Sequence, residues 1–119
     1  MDGAAAQAFA KEYISNFPEK PNGYSLNLKA ARLLDSAHVT GVYFEAAKLQ
    51  NETIYSKDPA KFKNGLISNY YTMMAYYNER KDLENAIAMC DKVLEIFPGE
   101  PQTTNIKASL VKNLEISKK

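Results

Sequence analysis

The 119-residue sequence lacks several residue types and patterns that mark particular classes of protein. It has no tryptophan, one cysteine and one histidine, so a disulfide framework and a cysteine-based zinc site are both excluded. It has no glycine-rich phosphate loop and no HExxH or ExxH metal pair. No apolar run is long enough to span a membrane, so direct membrane insertion is not expected. The first residues also lack the cationic start and apolar core of a secretory signal.

Charge excludes a further class of partner. Fifteen Lys and Arg residues oppose fourteen Asp and Glu residues, which leaves a formal net charge of +1. A protein that binds nucleic acid or anionic lipid through electrostatics usually carries a basic patch. The balance therefore gives no reason to expect nucleic acid as a partner.

The segment 66–98 has the clearest pattern in the sequence and predicts a helical hairpin. Apolar residues recur at steps of three and four in each half, which is the helical period. The two stripes are Leu66, Tyr70, Met73, Met74 and Tyr77, then Leu83, Ala86, Ile87, Cys90, Val93, Leu94 and Phe97. Asp82 is a suitable N-cap for the second helix, and Pro98 with Gly99 ends it.

This hairpin resembles a tetratricopeptide repeat, a helix-turn-helix unit of about 34 residues. Tyr70, Met73 and Tyr77 match the first helix of that repeat, and Ala86 and Pro98 match the second. Two positions depart from the pattern. A small residue is usual where Met74 stands and an aromatic where Cys90 stands, so we expect Met74 to widen the helix crossing.

The resemblance implies an all-α fold, a right-handed α-α superhelix of about six antiparallel helices in a single domain of residues 1–119. Residues 1–21 would be the second helix of a truncated repeat, 24–59 and 60–98 two repeats, and 101–117 a capping helix. The chain would then be the end of a longer array. Pro18, Pro59 and Pro98 are expected to mark equivalent corners of the stack.

Local signals complete this outline. Asn22-Gly23 is typical of a turn, and the segments FPEKP (17–21) and FPGEP (97–101) echo one another. A helix is expected from Val39 to about Tyr55, and Asp58-Pro59 is expected to start the next one. Gly65 predicts either a kink or a close backbone contact.

The same resemblance implies a partner-binding groove, because first helices of successive repeats line the concave face. The residues expected to face it form the following set: Tyr71, Thr72, Ala75, Asn78 and Glu79, with Asn27, Lys29, Ala31 or Arg32 from the preceding repeat. In the alternative interpretation, Tyr71 and Tyr76 pack on adjacent repeats. The basic-and-Asn clamp that some family members use for C-terminal carboxylates is not visible.

For the residues whose side chains could take part in catalysis or bind a metal, the sequence favours structural roles. His38 has no evident partners beyond Asp35, and Cys90 lies on a buried stripe. The carboxylates fall at helix-surface spacings, and Asn51-Glu52-Thr53 is a chance match to a glycosylation acceptor. No catalytic, cofactor-binding or metal-binding residue is therefore assigned, and the chain is not expected to be an enzyme.

The function that we expect is a non-enzymatic interaction or scaffold module that binds a peptide or a partner's helix. The chain itself would be a monomer or weak homo-oligomer. The alternative is an oligomerisation or accessory helical segment of a larger exported or membrane-associated assembly. An enzyme or small-molecule carrier would need a pocket that converges on His38. The compartment would be cytoplasmic if the start is natural and could be an exported one if the chain is a fragment.

Overall fold

The computed structural model describes residues 2–118, and within them every regular element is helical. The six α-helices are α1 (Gly3–Asn16), α2 (Pro21–Asp35), α3 (Val42–Thr53), α4 (Lys63–Glu79), α5 (Leu83–Ile96) and α6 (Pro101–Ser117). A single 3₁₀ turn, Tyr55–Lys57, follows α3. The all-α class and the number of helices predicted from the sequence are thus confirmed.

Each helix packs on the helices that precede and follow it in the chain. Successive helices run antiparallel. For example, Lys107 pairs with Asp91 at 2.6 Å, while Lys118, near the end of α6, lies 3.9 Å from Glu84 in the first turn of α5. The Cα trace extends over 49 × 31 × 17 Å.

Two corners of the fold share one local structure, which the echoed segments predicted. In α1 and α5, the residue after the helix donates its N–H to a carbonyl four residues back: Phe17 to Tyr13 at 2.8 Å and Phe97 to Val93 at 2.8 Å. Four residues later, Pro21 and Pro101 each occupy the first turn of the next helix. Proline suits this position because the N–H it lacks would have no helical partner there.

The turn predicted at Asn22-Gly23 is wrong, because both residues lie in the first turn of α2. Gly23 instead allows close helix packing. A Cβ on this residue would lie 2.8 Å from side-chain atoms of Tyr13 and Ile14 on α1. The signal for a turn was therefore a signal for close approach between two helices.

The corner around Pro59 has a different geometry from the other two. The sequence predicted that Asp58-Pro59 starts a helix, but α4 begins at Lys63. It also predicted that the preceding helix begins at Val39, but α3 begins at Val42. Asp58 accepts instead from the backbone N–H groups of Lys61 (3.3 Å) and Phe62 (3.0 Å), which closes one isolated turn. Thus Pro59 lies in the connection between α3 and α4, but it is not a copy of Pro18 or Pro98.

Two buried clusters hold the central helices together. One contains Met74, Ala86, Cys90 and Leu110, and the other Phe44, Ala47 and Met73. The two residues that depart from the repeat pattern meet in the first cluster, where Cys90 Sγ lies 3.8 Å from Met74 Sδ. The long side chain on α4 therefore fills space that a larger residue on α5 would occupy.

Gly65 makes the close contact that was one of its two predicted roles. A Cβ on this residue would lie 2.5 Å from the ring of Tyr55. That ring also stacks on Phe62, with centroids 5.0 Å apart. The start of α4 is thereby pressed against the 3₁₀ turn.

Candidate functional site

The open side of α4 carries most of the residues that the sequence assigned to a groove. Ala75, Asn78 and Glu79 are exposed, and Thr72 is half-buried. The Thr72 hydroxyl donates to the carbonyl of Ser68 in the preceding turn at 3.2 Å. This side of α4 therefore presents short side chains, which leave room for another chain to approach.

Tyr71 occupies a different position from the one predicted. Its hydroxyl donates to Glu100 Oε2 at 3.3 Å and is hydrogen-bonded to the Thr103 hydroxyl at the start of α6. Glu100 also accepts from the backbone N–H of Thr103 at 2.6 Å. The Thr103 hydroxyl and N–H lower the pKa of Glu100, because both donate to its charged form. Tyr71 thus joins α4 to α6, as the alternative interpretation held.

Exposed basic and apolar side chains lie together on α2. Lys29 and Arg32, both assigned to the groove, line a surface groove of about 430 Å³ with Leu33 and Ser36. Leu33 is 75% exposed and Val39, in the following connection, is 74% exposed. Ala31, the alternative to Arg32, is fully buried. This end of α2 is the part of the predicted groove with the most exposed apolar surface.

Asn27 is not on the open face that the sequence assigned to it. It is 4% exposed, and its Oδ1 has no hydrogen-bond partner within residues 2–118. Its counterpart is Asn69, because each is the seventh residue of its helix. Asn69 donates to Gln50 Oε1 (2.8 Å) and Asn51 Oδ1 (2.9 Å) on α3. The uncertain register of α2 misplaced Asn27, which lies in the helix interface.

The connection between α2 and α3 is organised by one carboxylate. Asp35 accepts from the N–H groups of Val39 (2.7 Å), Thr40 (3.0 Å) and Gly41 (2.9 Å). Burial by itself raises the pKa of Asp35, but the N–H donors outweigh it and bring the pKa to about 2. The carboxylate therefore stays ionised and fixes the connection next to the exposed Val39.

Arg80 links the end of α4 to the same connection. Its guanidinium donates to the carbonyls of His38 (2.8 Å) and Val39 (3.1 Å) and lies 3.7 Å from the centroid of the Tyr76 ring. The sequence gave no signal for this contact, since the paired residues are more than 40 positions apart. Arg80 and Asp35 together hold the open ends of α2 and α4 in a fixed relation.

His38 and Cys90, whose side chains could take part in catalysis or bind a metal, lie in the interior. His38 is 9% exposed, stacks on Tyr43 at 5.3 Å, and has no hydrogen-bond partner for Nδ1 among the described residues. Cys90 is fully buried, and burial raises the pKa of its thiol. Between residues 2 and 118, no group of three or more His, Cys, Asp and Glu side chains could hold a metal. No helix in that part of the chain combines the length and apolar character needed to cross a bilayer.

Comparisons with protein-family models, with curated proteins and with solved structures find no match for this chain.

Proposed function

We propose that the chain is a non-enzymatic interaction module, similar to tetratricopeptide repeats, that binds a peptide or a partner's helix across the open sides of α2 and α4. The single observation that carries this proposal is the exposed cluster on α2. Leu33 is 75% exposed and lines one groove together with Lys29 and Arg32. Exposed apolar side chains gathered beside fixed charges are typical of protein-binding surfaces.

A two-layer superhelical stack would place these open sides on one surface. Several observations support that arrangement. The shortest dimension is 17 Å, close to the depth of two helix layers. The Cα radius of gyration is 15.4 Å, whereas a compact domain of this length has a radius of about 13.5 Å. Side-chain contacts also join α4 to α6 through Tyr71, and the end of α4 to the α2–α3 connection through Arg80.

The charges of the α2 groove favour a particular partner chemistry. Lys29 and Arg32 form no ion pair within residues 2–118. The one acid of α2, Asp35, is held by backbone N–H groups. We therefore expect a partner segment that places an apolar side chain against Leu33 and acidic side chains beside it.

Selection from a displayed random-peptide library tests this proposal. Peptides selected on the wild-type chain should lose at least about tenfold in affinity when Leu33→Ser and Arg32→Gln are combined, since an apolar anchor and a charge contact each contribute about 1 kcal/mol or more. Both residues are exposed, so the variant should unfold at the wild-type temperature.

Leu49→Ser is the matched control, because Leu49 is also an exposed leucine, at 38%, but lies on α3. Selected peptides should bind this variant as tightly as wild type. Equal binding of the peptides to the wild type and to the α2 variant would overturn the proposed surface.

A further inference from the structure

A second concave site lies where α3, α4 and α5 meet. The cavity has a volume of about 380 Å³. Its floor is formed by Tyr70, Met73 and Tyr77 of α4. On a helix with 3.6 residues per turn, these positions point on average about 140° away from Ala75 and Asn78. The cavity is therefore separate from the open side of α4.

The floor and one wall of this cavity are apolar and aromatic. Met73 is buried in a cluster against which both tyrosines pack, and Met89 of α5 lines the same space. Thioether side chains adapt to the shape of what they contact, and tyrosine rings offer flat apolar surface with a polar edge. The volume is at the lower end of the range for small-ligand sites, about 300 to 1,000 Å³.

Two of the residues that line this cavity, Tyr70 and Tyr77, carry a hydroxyl that can donate a hydrogen bond. The hydroxyls of Tyr70 and Tyr77 form no hydrogen bond with any atom of residues 2–118 under ordinary distance limits. Burial raises the pKa of both phenols, so each keeps its proton at neutral pH. Each phenol is therefore available to donate to an incoming acceptor.

Two lysines contribute charge from opposite walls, Lys48 on α3 and Lys92 on α5. Neither belongs to the ion pairs formed within the described chain, which join Lys107 to Asp91 and Lys118 to Glu84. Lys48 is near enough to Tyr77 to lower the pKa of that phenol against the effect of burial.

Acidic side chains lie near both tyrosines, and Asp82 and Glu45 raise the pKa of the Tyr77 phenol after the larger effect of burial. Glu52 and Glu95 are near Tyr70, where both raise the pKa of its phenol after the larger effect of burial. Among the residues that line the cavity itself, Lys48 and Lys92 outnumber the one carboxylate, Glu52, so the lining has a formal charge of +1.

We propose that this cavity binds a small organic acid with an apolar body. The body would pack on Met73 and Met89, and the carboxylate would accept from the Lys48 ammonium and the Tyr77 hydroxyl. This site goes beyond the proposed peptide-binding function and uses a different side of the protein.

The cavity between α1, α2 and α3 serves as an internal reference. It has a similar volume, about 330 Å³, but is lined by Asn27, Ala46 and other residues among which there is no aromatic ring and no methionine. We expect no binding of an aryl acid there.

A pair of probes that differ only in charge tests the proposal, 4-phenylbutyrate and its neutral amide, 4-phenylbutyramide. Titration of the full chain should be followed by backbone amide chemical shifts. The carboxylate should produce saturable shifts in α3, α4 and α5 and bind at least about fivefold tighter than the amide, because it alone pairs with Lys48.

The variant Lys48→Gln should remove that preference, so that both probes bind as the amide does. The control Lys29→Gln, on the open side of α2, should leave both affinities unchanged and would disturb only peptide binding. Equal affinity of acid and amide for the wild type, shifts centred outside α3 to α5, or the absence of saturable shifts would each overturn the proposal.

Discussion

At the scale of single residues, the Asp35 carboxylate organises a whole connection between two helices. One carboxylate takes three backbone N–H groups of the α2–α3 connection as donors. Without it, these donors would lose acceptors in a largely buried place, where an unpaired polar group is unfavourable. The sequence gave no signal for these three partners.

Asp35 also makes stability depend on pH. Its pKa is about 2 in the folded chain, below the ordinary value of 3.8. A lowered folded-state pKa stabilises the fold at pH values above the unfolded pKa, and this contribution is lost as the pH falls from about 4 to about 2. We therefore expect Asp35→Asn to lower the melting temperature by about 5 to 10 °C at pH 7. The gap from wild type should narrow through that window.

Thermal unfolding followed by circular dichroism at several pH values measures this effect. Glu19→Gln, which removes an exposed carboxylate in the α1–α2 turn, is the control and should melt with the wild type throughout. A gap between wild type and Asp35→Asn that stays constant from pH 7 to pH 2 would show that the ionised carboxylate is not what stabilises the connection.

Single residues also mark where sequence reasoning reached its limit. The spacing of Tyr71 gave two possible neighbours, and only the position of α6 decided between them. Asn27 was misplaced because the resemblance to the repeat is carried by the later hairpin, so the register of α2 could not be fixed from it. Lys29, Arg32, Ala75, Asn78 and Glu79 were predicted to be on an open surface and are exposed.

At the scale of helices, boundaries were predictable where a capping residue or a proline acts alone. Asp82 caps α5 by accepting from the N–H of Asn85 at 3.3 Å, and Pro101 begins α6. Predictions failed where a neighbouring helix decides the outcome. Gly23 was taken as part of a turn, yet it permits contact with α1.

At the α4–α5 interface, the large side chain of Met74 compensates for the small side chain of Cys90. Replacing Met74 by Ala should lower the free energy of unfolding by about 2 to 3 kcal/mol because it leaves a cavity. Replacing Cys90 by Phe should lower it by about 1 to 3 kcal/mol because the site is full. The loss in free energy of unfolding for the double variant should be smaller than the sum of the two single losses by at least about 1 kcal/mol, since the new ring fills the space vacated by Met74.

Urea unfolding of the four species gives the coupling energy. Leu66→Ala combined with Cys90→Phe is the control, because Leu66 lies two turns from Met74, about 12 Å along α4, and should give additive effects. Additive effects of Met74→Ala and Cys90→Phe would contradict the claim that the two side chains compensate for each other in volume.

At the scale of the whole molecule, six antiparallel helices follow one another in chain order. The sequence predicted the number of helices and the all-α class, because the spacing of apolar residues and the residues that end a helix are local properties of a sequence. The polar contacts between one hairpin and the next include those of Arg80, Tyr71 and Asn69. No local pattern indicates these polar side chains as partners of residues far along the chain.

The central claim is that the open sides of α2 and α4 form one partner-binding surface. Backbone amide chemical shifts recorded with a library-selected peptide test it most directly. We expect the largest changes, in one saturable process, at residues 29–36 and 72–79. Changes centred instead on residues 44–52 and 84–92, on the other side of α3 and α5, would contradict the claim.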